Sequence, residues 1–157
     1  SLDYSAGLAP PETYSGVLET LADDIDVLFA REENAREALD RNGGPRELAN
    51  TIASDYELEI MVILRSSGGA VALRDTPGTN IIHERDPIES SDVDPTGKTG
   101  AFVGAFLQQL IKGSDTARAL TYAVAASTVV RTVPGPFLTT TAGEIEPLAE
   151  RVVENSQ

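Results

Sequence analysis

Apolar residues recur along this chain in two spacings, and together they predict alternating helices and strands. A recurrence every three or four positions is typical of a helix with one buried face, whereas a short unbroken apolar run is typical of a buried strand. Helices are predicted at residues 12–22, 32–41, 45–55, 100–112, 114–130 and 142–155. Strands are predicted at residues 26–30, 60–64, 70–73 and 80–83. This order of elements indicates a layered α/β fold.

The run IMVIL at residues 60–64 is the clearest strand, because its unbroken apolar character is expected at the centre of a sheet. The sequence SSGG at residues 66–69 predicts a turn, after which residues 70–73 return as a hairpin partner. Residues 26–30 have the length of a buried parallel strand. Residues 85–96 are acidic and interrupted by proline, which predicts a loop.

The predicted helices differ in how their apolar residues are arranged. One face of helix 12–22 carries Tyr14, Val17, Leu18 and Leu21. A wider stripe on helix 100–112 is formed by Phe102, Val103, Phe106, Leu107, Leu110 and Ile111. Helix 114–130 has small residues almost all round, which predicts burial between layers. Because so few strands rarely complete a doubly wound sheet, we interpret residues 1–157 as a single partial domain, the back half of a larger one.

The composition excludes several classes of function. Asp and Glu number 25 against 12 Lys and Arg, which gives a net charge of −13 and disfavours nucleic acid and anionic membranes as partners. Lysine occurs only at Lys98 and Lys112, a depletion typical of proteins from salty cytoplasm, so we expect a halophilic source. An acidic protein from an ordinary cytoplasm is the alternative. There is no cysteine and one histidine, which leaves little material for zinc sites and suits a cytoplasmic location.

The sequence has no apolar run long enough to predict a membrane span, and its first residues lack the features of a signal peptide. The chain begins with Ser1 rather than Met. We therefore expect a processed, tagged or partial polypeptide.

The most informative segment is DPTGKTGAF at residues 94–102, where a loop opens into a long apolar helix. The unpaired backbone N–H groups and the dipole at a helix start favour a bound anion. Gly97, Thr99 and Gly100 are small enough for phosphate to approach the backbone, and Lys98 adds a positive charge. A P-loop is disfavoured, because its first glycine would fall on Asp92.

Other candidate groups have plainer interpretations. The carboxylate pairs Asp92/Asp94, Glu32/Glu33 and Asp23/Asp24 suggest acid–base or metal chemistry, but on so acidic a chain they are better explained as solvated surface. Asp94 is kept as a candidate. His83 lies beside Ile82 in a predicted strand and is interpreted as structural or solvent-facing. Arg131 either caps its helix, which we favour, or reaches a nucleotide.

Several motifs in this order resemble one family. Residues 1–4 resemble a strand end of pattern D-x-N-x-R, residues 26–35 a segment aDvvf-N-x-x-E-A, and residues 61–72 a segment vvvT-x-G-x-x-G-a. Residues 94–102 resemble D-t-t-G-A-G-D-a-F. The chain as a whole is similar to the C-terminal half of ribokinase-type, or PfkB-type, carbohydrate kinases, and within them to the 2-keto-3-deoxygluconate kinases of halophilic archaea.

The resemblance implies a ribokinase-like three-layer sandwich of Rossmann-like character, with ATP and Mg²⁺ as cofactors. It implies phosphate or nucleotide contacts at Gly97, Lys98, Thr99, Gly100, Gly69 and Ala126. Ala126 belongs to an alanine-rich helix that, with residues 133–135, resembles the wall of the nucleotide pocket. Asp94 would lie at the mouth of the anion site.

At the family's catalytic positions this sequence departs from the pattern. Gly100 stands where the family has the Asp that accepts the proton of the sugar hydroxyl. The N-x-x-E pair, which orders Mg²⁺ and phosphate through water, falls on Arg31 and Asn34. The phosphate-contacting Thr of T-x-G-x-x-G falls on Leu64 and its first Gly on Ser66.

The resemblance implies part of a sugar or sugar-acid kinase, with 2-keto-3-deoxygluconate as the favoured substrate. The departures predict that this part has little or no activity by itself. A general base is worth about 10²–10⁴ in rate, and phosphoryl transfer depends as heavily on metal placement. The partner implied for this part of a kinase is a missing N-terminal half or a second copy of the chain in a homodimer. The alternatives are a non-catalytic nucleotide-binding or assembly module, and a decayed or split gene product.

Overall fold

The computed structural model describes residues 1–2, 8–89, 97–132 and 141–155, without the side chains of residues 131, 132, 142 and 155. In these residues the helices are α1 (Pro11–Leu21), α2 (Glu32–Ala38), α3 (Pro45–Asp55), α4 (Lys98–Ile111), α5 (Thr116–Thr132) and α6 (Ala142–Asn155). The strands are β1 (Val27–Arg31), β2 (Ile60–Leu64), β3 (Ala70–Thr76) and β4 (Thr79–Arg85). All ten predicted elements are present, and the predicted α/β class is confirmed.

The chain forms two compact units, Ser1–Ile82 and His83–Gln157. In the first, the strands are ordered β1-β2-β3-β4, with β1 parallel to β2 and β2 antiparallel to β3. The crossover from β1 to β2 runs through α2 and α3, as a parallel connection requires. The register pairs Arg31 with Leu64, so the carboxyl ends of β1 and β2 lie side by side.

The core of this unit lies where α3 covers β2 and β3. Leu48 and Ile52 on α3 and Met61 and Ile63 on β2 are fully buried, as the unbroken apolar run of β2 predicts. Each such side chain contributes roughly 1.5–3 kcal/mol through its burial.

The apolar face of α1 is only partly covered. Leu18 is buried, but Val17 is 51% and Leu21 45% exposed. Together with Leu2 and Leu28 they line an apolar groove of about 410 Å³. Leu2 also forms a parallel bridge to Ala30, on the side of β1 away from β2.

In the second unit, α5 packs against α4 on one side and α6 on the other. The prediction that α5 is buried almost all round is confirmed by Ala119, Ala123 and Ala125, which have no exposed surface. Small side chains permit this close helix packing. The stripe predicted for α4 is less uniformly buried, since Phe102 and Phe106 are covered and stacked at 6.4 Å but Ile111 is 87% exposed.

Several predicted boundaries need correction. Helix α4 begins at Lys98, two residues before the predicted start, because the left-handed conformation of Gly97 turns the chain into the helix there. Helix α2 ends at Ala38 rather than residue 41, since Asp40 takes a positive φ of 48°. Strands β3 and β4 extend beyond their predicted ends. Among the described residues, no helix has the length and apolarity needed to cross a bilayer.

Candidate phosphate-binding site

The start of α4 has the backbone geometry of an anion site. Gly97 is the N-cap residue with φ 82°, a conformation that an L side chain rarely adopts, and its carbonyl accepts the Ala101 N–H at 2.9 Å. The N–H groups of Lys98, Thr99 and Gly100 precede this first helical bond and have no partner within the helix. The helix dipole adds partial positive charge at the same place.

The side chains of this first turn leave the backbone accessible. Lys98 and Gly100 are exposed, Thr99 is half-buried, and the turn contains no acidic residue. Among the residues that the structure describes, a Cβ placed on Gly100 would meet no heavy atom of a neighbouring group within 4 Å. The position therefore has room for a side chain, and the glycine is not required there by packing.

A second group of predicted residues lies in the first unit, where β1 and β2 end. Arg31 and Leu64 are register partners, and Ser66 begins the turn that follows β2. Asn34 is buried, and its Nδ2 donates to the Leu2 carbonyl at 3.4 Å. The Asn34 amide therefore joins the N-terminal segment to α2. Arg31 lies 3.7 Å from a carboxylate oxygen of Glu33.

The turn after β2 is closed by its own hydrogen bonds. Arg65 N donates to Gly69 O at 3.1 Å, Gly68 N to Arg65 O at 3.0 Å, and Arg65 Nε to Gly68 O at 3.0 Å. Gly68 and Gly69 both take positive φ, 92° and 71°, which explains why this turn contains two glycines.

Sequence reasoning missed the role of Glu32. It was interpreted as solvated surface, and this is wrong: Glu32 is 8% exposed, accepts the Ser66 N–H at 3.0 Å, and pairs with Arg36 at 2.6 Å. The spacing of Glu32 and Arg36, four residues apart on a helix, was the available signal. For Asp23 and Asp24 the interpretation as solvated surface is correct, because both residues are exposed.

The remaining predicted residues are less informative. Ala126 has no exposed surface. His83 is half-buried, and burial together with the Arg85 guanidinium lowers its pKa below 6.5. Asp92, Asp94, residues 133–135 and the Arg131 side chain lie outside the described residues.

The described residues fit phosphate better than they fit Mg²⁺. Backbone N–H groups and Lys98 suit an anion, but no group of three or more His, Asp or Glu among the described residues could hold a metal ion. At the positions predicted to order Mg²⁺, Arg31 is cationic and the buried Asn34 amide donates to a carbonyl.

A helix start preceded by a left-handed glycine, in a chain of alternating strands and helices, is a feature of many proteins that bind phosphate. The chain belongs to the pfkB family of carbohydrate kinases, whose family model matches residues 5–141. It is 36% identical over 145 residues to a 2-dehydro-3-deoxygalactonokinase of Haloferax volcanii, an alignment that covers 92% of this chain and 44% of that protein.

Solved structures of sugar kinases share the fold of this chain. The 2-dehydro-3-deoxygluconokinase of Thermotoga maritima matches with a TM-score of 0.76 and 25% identity, over 94% of this chain and 48% of that one. A putative ribokinase II of E. coli, solved with ATP and Mg²⁺, matches with a TM-score of 0.70 and 24% identity, over 90% and 44%. The predicted ribokinase-like fold is confirmed. The chain spans a little under half the length of these relatives.

Proposed function

We propose that this chain is the nucleotide-side part of a sugar-acid kinase whose phosphate-binding helix start is retained and whose proton acceptor is lost. The start of α4 is the observation that carries the proposal. It combines a left-handed glycine, three N–H groups without intrahelical partners, and Lys98.

The reaction of the complete kinase would be transfer of the ATP γ-phosphate to an alcohol. The acceptor oxygen bonds to the γ-phosphorus, the bond from that phosphorus to the β–γ bridging oxygen breaks, and the hydroxyl proton must leave. We infer a 2-keto-3-deoxy sugar acid as acceptor, with 2-keto-3-deoxygluconate favoured. The similarity to the Haloferax and Thermotoga enzymes supports this class of acceptor, since one is a 2-dehydro-3-deoxygalactonokinase and the other a 2-dehydro-3-deoxygluconokinase.

The lost group limits the rate. Gly100 has no side chain to accept the hydroxyl proton, and a positioned general base is typically worth about 10²–10⁴ in rate. Arg31 and Asn34 offer no carboxylate where the resemblance places the metal-ordering pair. The unmodified chain is therefore expected to bind ATP and to turn it over weakly or not at all.

Calorimetry and a product assay test the two halves of this proposal separately. ATP is titrated into the chain in concentrated KCl, and sugar-acid phosphate is then measured in a mixture with the part of the Haloferax relative that this chain does not match. Binding without turnover is expected. Robust turnover by the unmodified chain would refute the loss of function, and no heat of binding would refute the anion site.

Restoring the carboxylate gives a sharper version of the assay. Gly100→Asp in the same mixture should raise turnover by about 10²-fold or more, since the position has room for the side chain. Gly104→Asp is the matched control, because Gly104 lies one turn later on the same helix and is equally uncrowded. Equal turnover in both variants would contradict the lost-base explanation.

A second candidate function, a non-catalytic assembly module, is favoured by the open apolar groove of the first unit. Val17 and Leu21 are about half exposed beside Leu2 and Leu28, at the edge of the described sheet. The proposed occupant is the portion of a pfkB kinase that this chain does not span. Light scattering of the chain with that portion of the Haloferax relative should give a complex, which Val17→Asp weakens. A homodimer would appear in the chain alone.

We also infer a saline cytoplasm as the setting, from the net charge of −13 and the near absence of lysine. The unfolding midpoint should rise with KCl concentration. An unchanged midpoint between dilute and concentrated KCl would favour an ordinary acidic protein.

A further inference from the structure

We propose that Glu32 is a positioning residue, which holds the glycine turn at residues 66–69 in place for phosphate. The role of the turn toward phosphate rests on the proposed function. The contact between Glu32 and the turn rests on geometry alone. No part of the resemblance assigns a role to this position.

Both carboxylate oxygens of Glu32 are used. Oε2 accepts the Ser66 N–H at 3.0 Å, across 34 positions of sequence, and Oε1 accepts Arg36 Nη2 at 2.6 Å. The same Arg36 nitrogen also donates to the Gly43 carbonyl at 2.9 Å, which fixes it from a second side. A buried carboxylate needs such donors, and charge-assisted bonds are stronger than neutral ones.

These bonds join the turn to the end of β1. Glu32 directly follows Arg31, the last residue of β1, while Ser66 is two residues beyond Leu64, the last residue of β2. Strand pairing fixes Arg31 beside Leu64, and Glu32 extends that connection beyond the sheet. The internal hydrogen bonds of the turn set its shape, whereas Glu32 sets its orientation.

Glu33 supports the same residue less firmly. Its Oε2 accepts the Ser66 hydroxyl at 3.0 Å, but its side chain is 47% exposed against 11% for Glu32. Because water can replace the exposed bond, Glu33 is expected to contribute less to the position of Ser66.

Glu32→Gln is the informative variant. Glutamine has nearly the same shape but only one acceptor oxygen, so it cannot accept from both the Ser66 N–H and Arg36. Glu32→Asp keeps the charge and shortens the reach, and it replaces Glu32→Gln if that variant does not fold. Glu37→Gln, an exposed site on the same helix, is the control for removing one negative charge.

The first measurement is amide hydrogen exchange by NMR on the full chain. Glu32→Gln should lower protection at Ser66 by about tenfold or more, the effect of losing a charged hydrogen bond, with Val62 in β2 unchanged. Glu37→Gln should leave Ser66 as in the unmodified chain. Unchanged protection at Ser66 in Glu32→Gln would overturn the proposal.

The second measurement is ATP affinity by calorimetry, which a purely structural contact would not change. Glu32→Gln should weaken ATP binding about three- to tenfold, and Glu37→Gln should not. Lost protection with unaltered ATP affinity would overturn the role toward phosphate. If the unmodified chain binds no ATP, the proposed function fails and the role toward phosphate with it, while the exchange result still decides the contact between Glu32 and Ser66.

Discussion

Gly100→Asp should stabilise the chain, even before any effect on catalysis. Gly100 is the third residue of α4, so a carboxylate there lies against the positive end of the helix dipole, worth about 0.3–1 kcal/mol. Replacing glycine inside a helix adds a few tenths of a kcal/mol, since aspartate is the better helix former of the two. No packing penalty is expected, because the new Cβ would have no neighbouring heavy atom within 4 Å in the part of the chain that the structure describes.

The sum is a gain of about 0.5–1.3 kcal/mol in the free energy of unfolding, or about 1–5 °C in Tm. Thermal and urea unfolding are measured at the lowest KCl concentration at which the unmodified chain is folded, and again in concentrated KCl. The gain should shrink at high salt because the dipole interaction is screened. Gly104→Asp, one turn further along, should show only the small propensity gain. A Gly100→Asp variant less stable than Gly104→Asp would refute the helix start described here.

Three further results are expected. Leu48→Ala should lower the free energy of unfolding by about 2–5 kcal/mol, because Leu48 is fully buried. Leu8→Ala, at an 80% exposed position, should change the free energy of unfolding by less than about 0.5 kcal/mol. Equal effects of the two substitutions in urea unfolding would contradict the described core. Burial, with a nearby guanidinium, lowers the pKa of His83 below 6.5, so the unfolded chain binds more protons just below that pH and stability should rise with pH there; a slope that survives in His83→Gln would contradict this. Burial and a carboxylate hydrogen bond raise the pKa of Tyr122 above 10.0, so Tyr122→Phe should remove a late component from an ultraviolet titration, and loss of an early component would be the opposite result.

Elements with strong local signals were predictable to the residue. The strand Ile60–Leu64 was found because an unbroken apolar run has little alternative to a buried strand. The helix Pro45–Asp55 was found because proline marks its first residue and its apolar positions recur at helical spacing.

Features set by distant contacts were not predictable. The buried Glu32 is hydrogen-bonded to a turn 34 positions later, and the buried Asn34 to a carbonyl 32 positions earlier. The local pattern of acidic residues gives no information about either of these long-range contacts. The sequence indicated which family positions were altered, but not that Asn34 is engaged by the Leu2 backbone.

The sequence predicts a phosphate site at residues 97–100, but it places the start of helix α4 at residue 100 rather than at Lys98, where the helix begins. Lys98 and Thr99 belong to the helix because the left-handed conformation of Gly97 starts it directly before them. The helix propensities of the individual residues do not reveal this effect. The corrected boundary places Lys98, Thr99 and Gly100 together in the first turn of the helix.

Whether the start of α4 binds phosphate is decided by an amide-resolved NMR titration of the unmodified chain with ATP in concentrated KCl. We predict that the largest shifts occur at Gly97, Lys98, Thr99 and Gly100, with no conversion of ATP when the sugar acid is added. If these four resonances do not shift at ATP concentrations up to the millimolar range, whether or not other resonances do, the helix start does not bind phosphate.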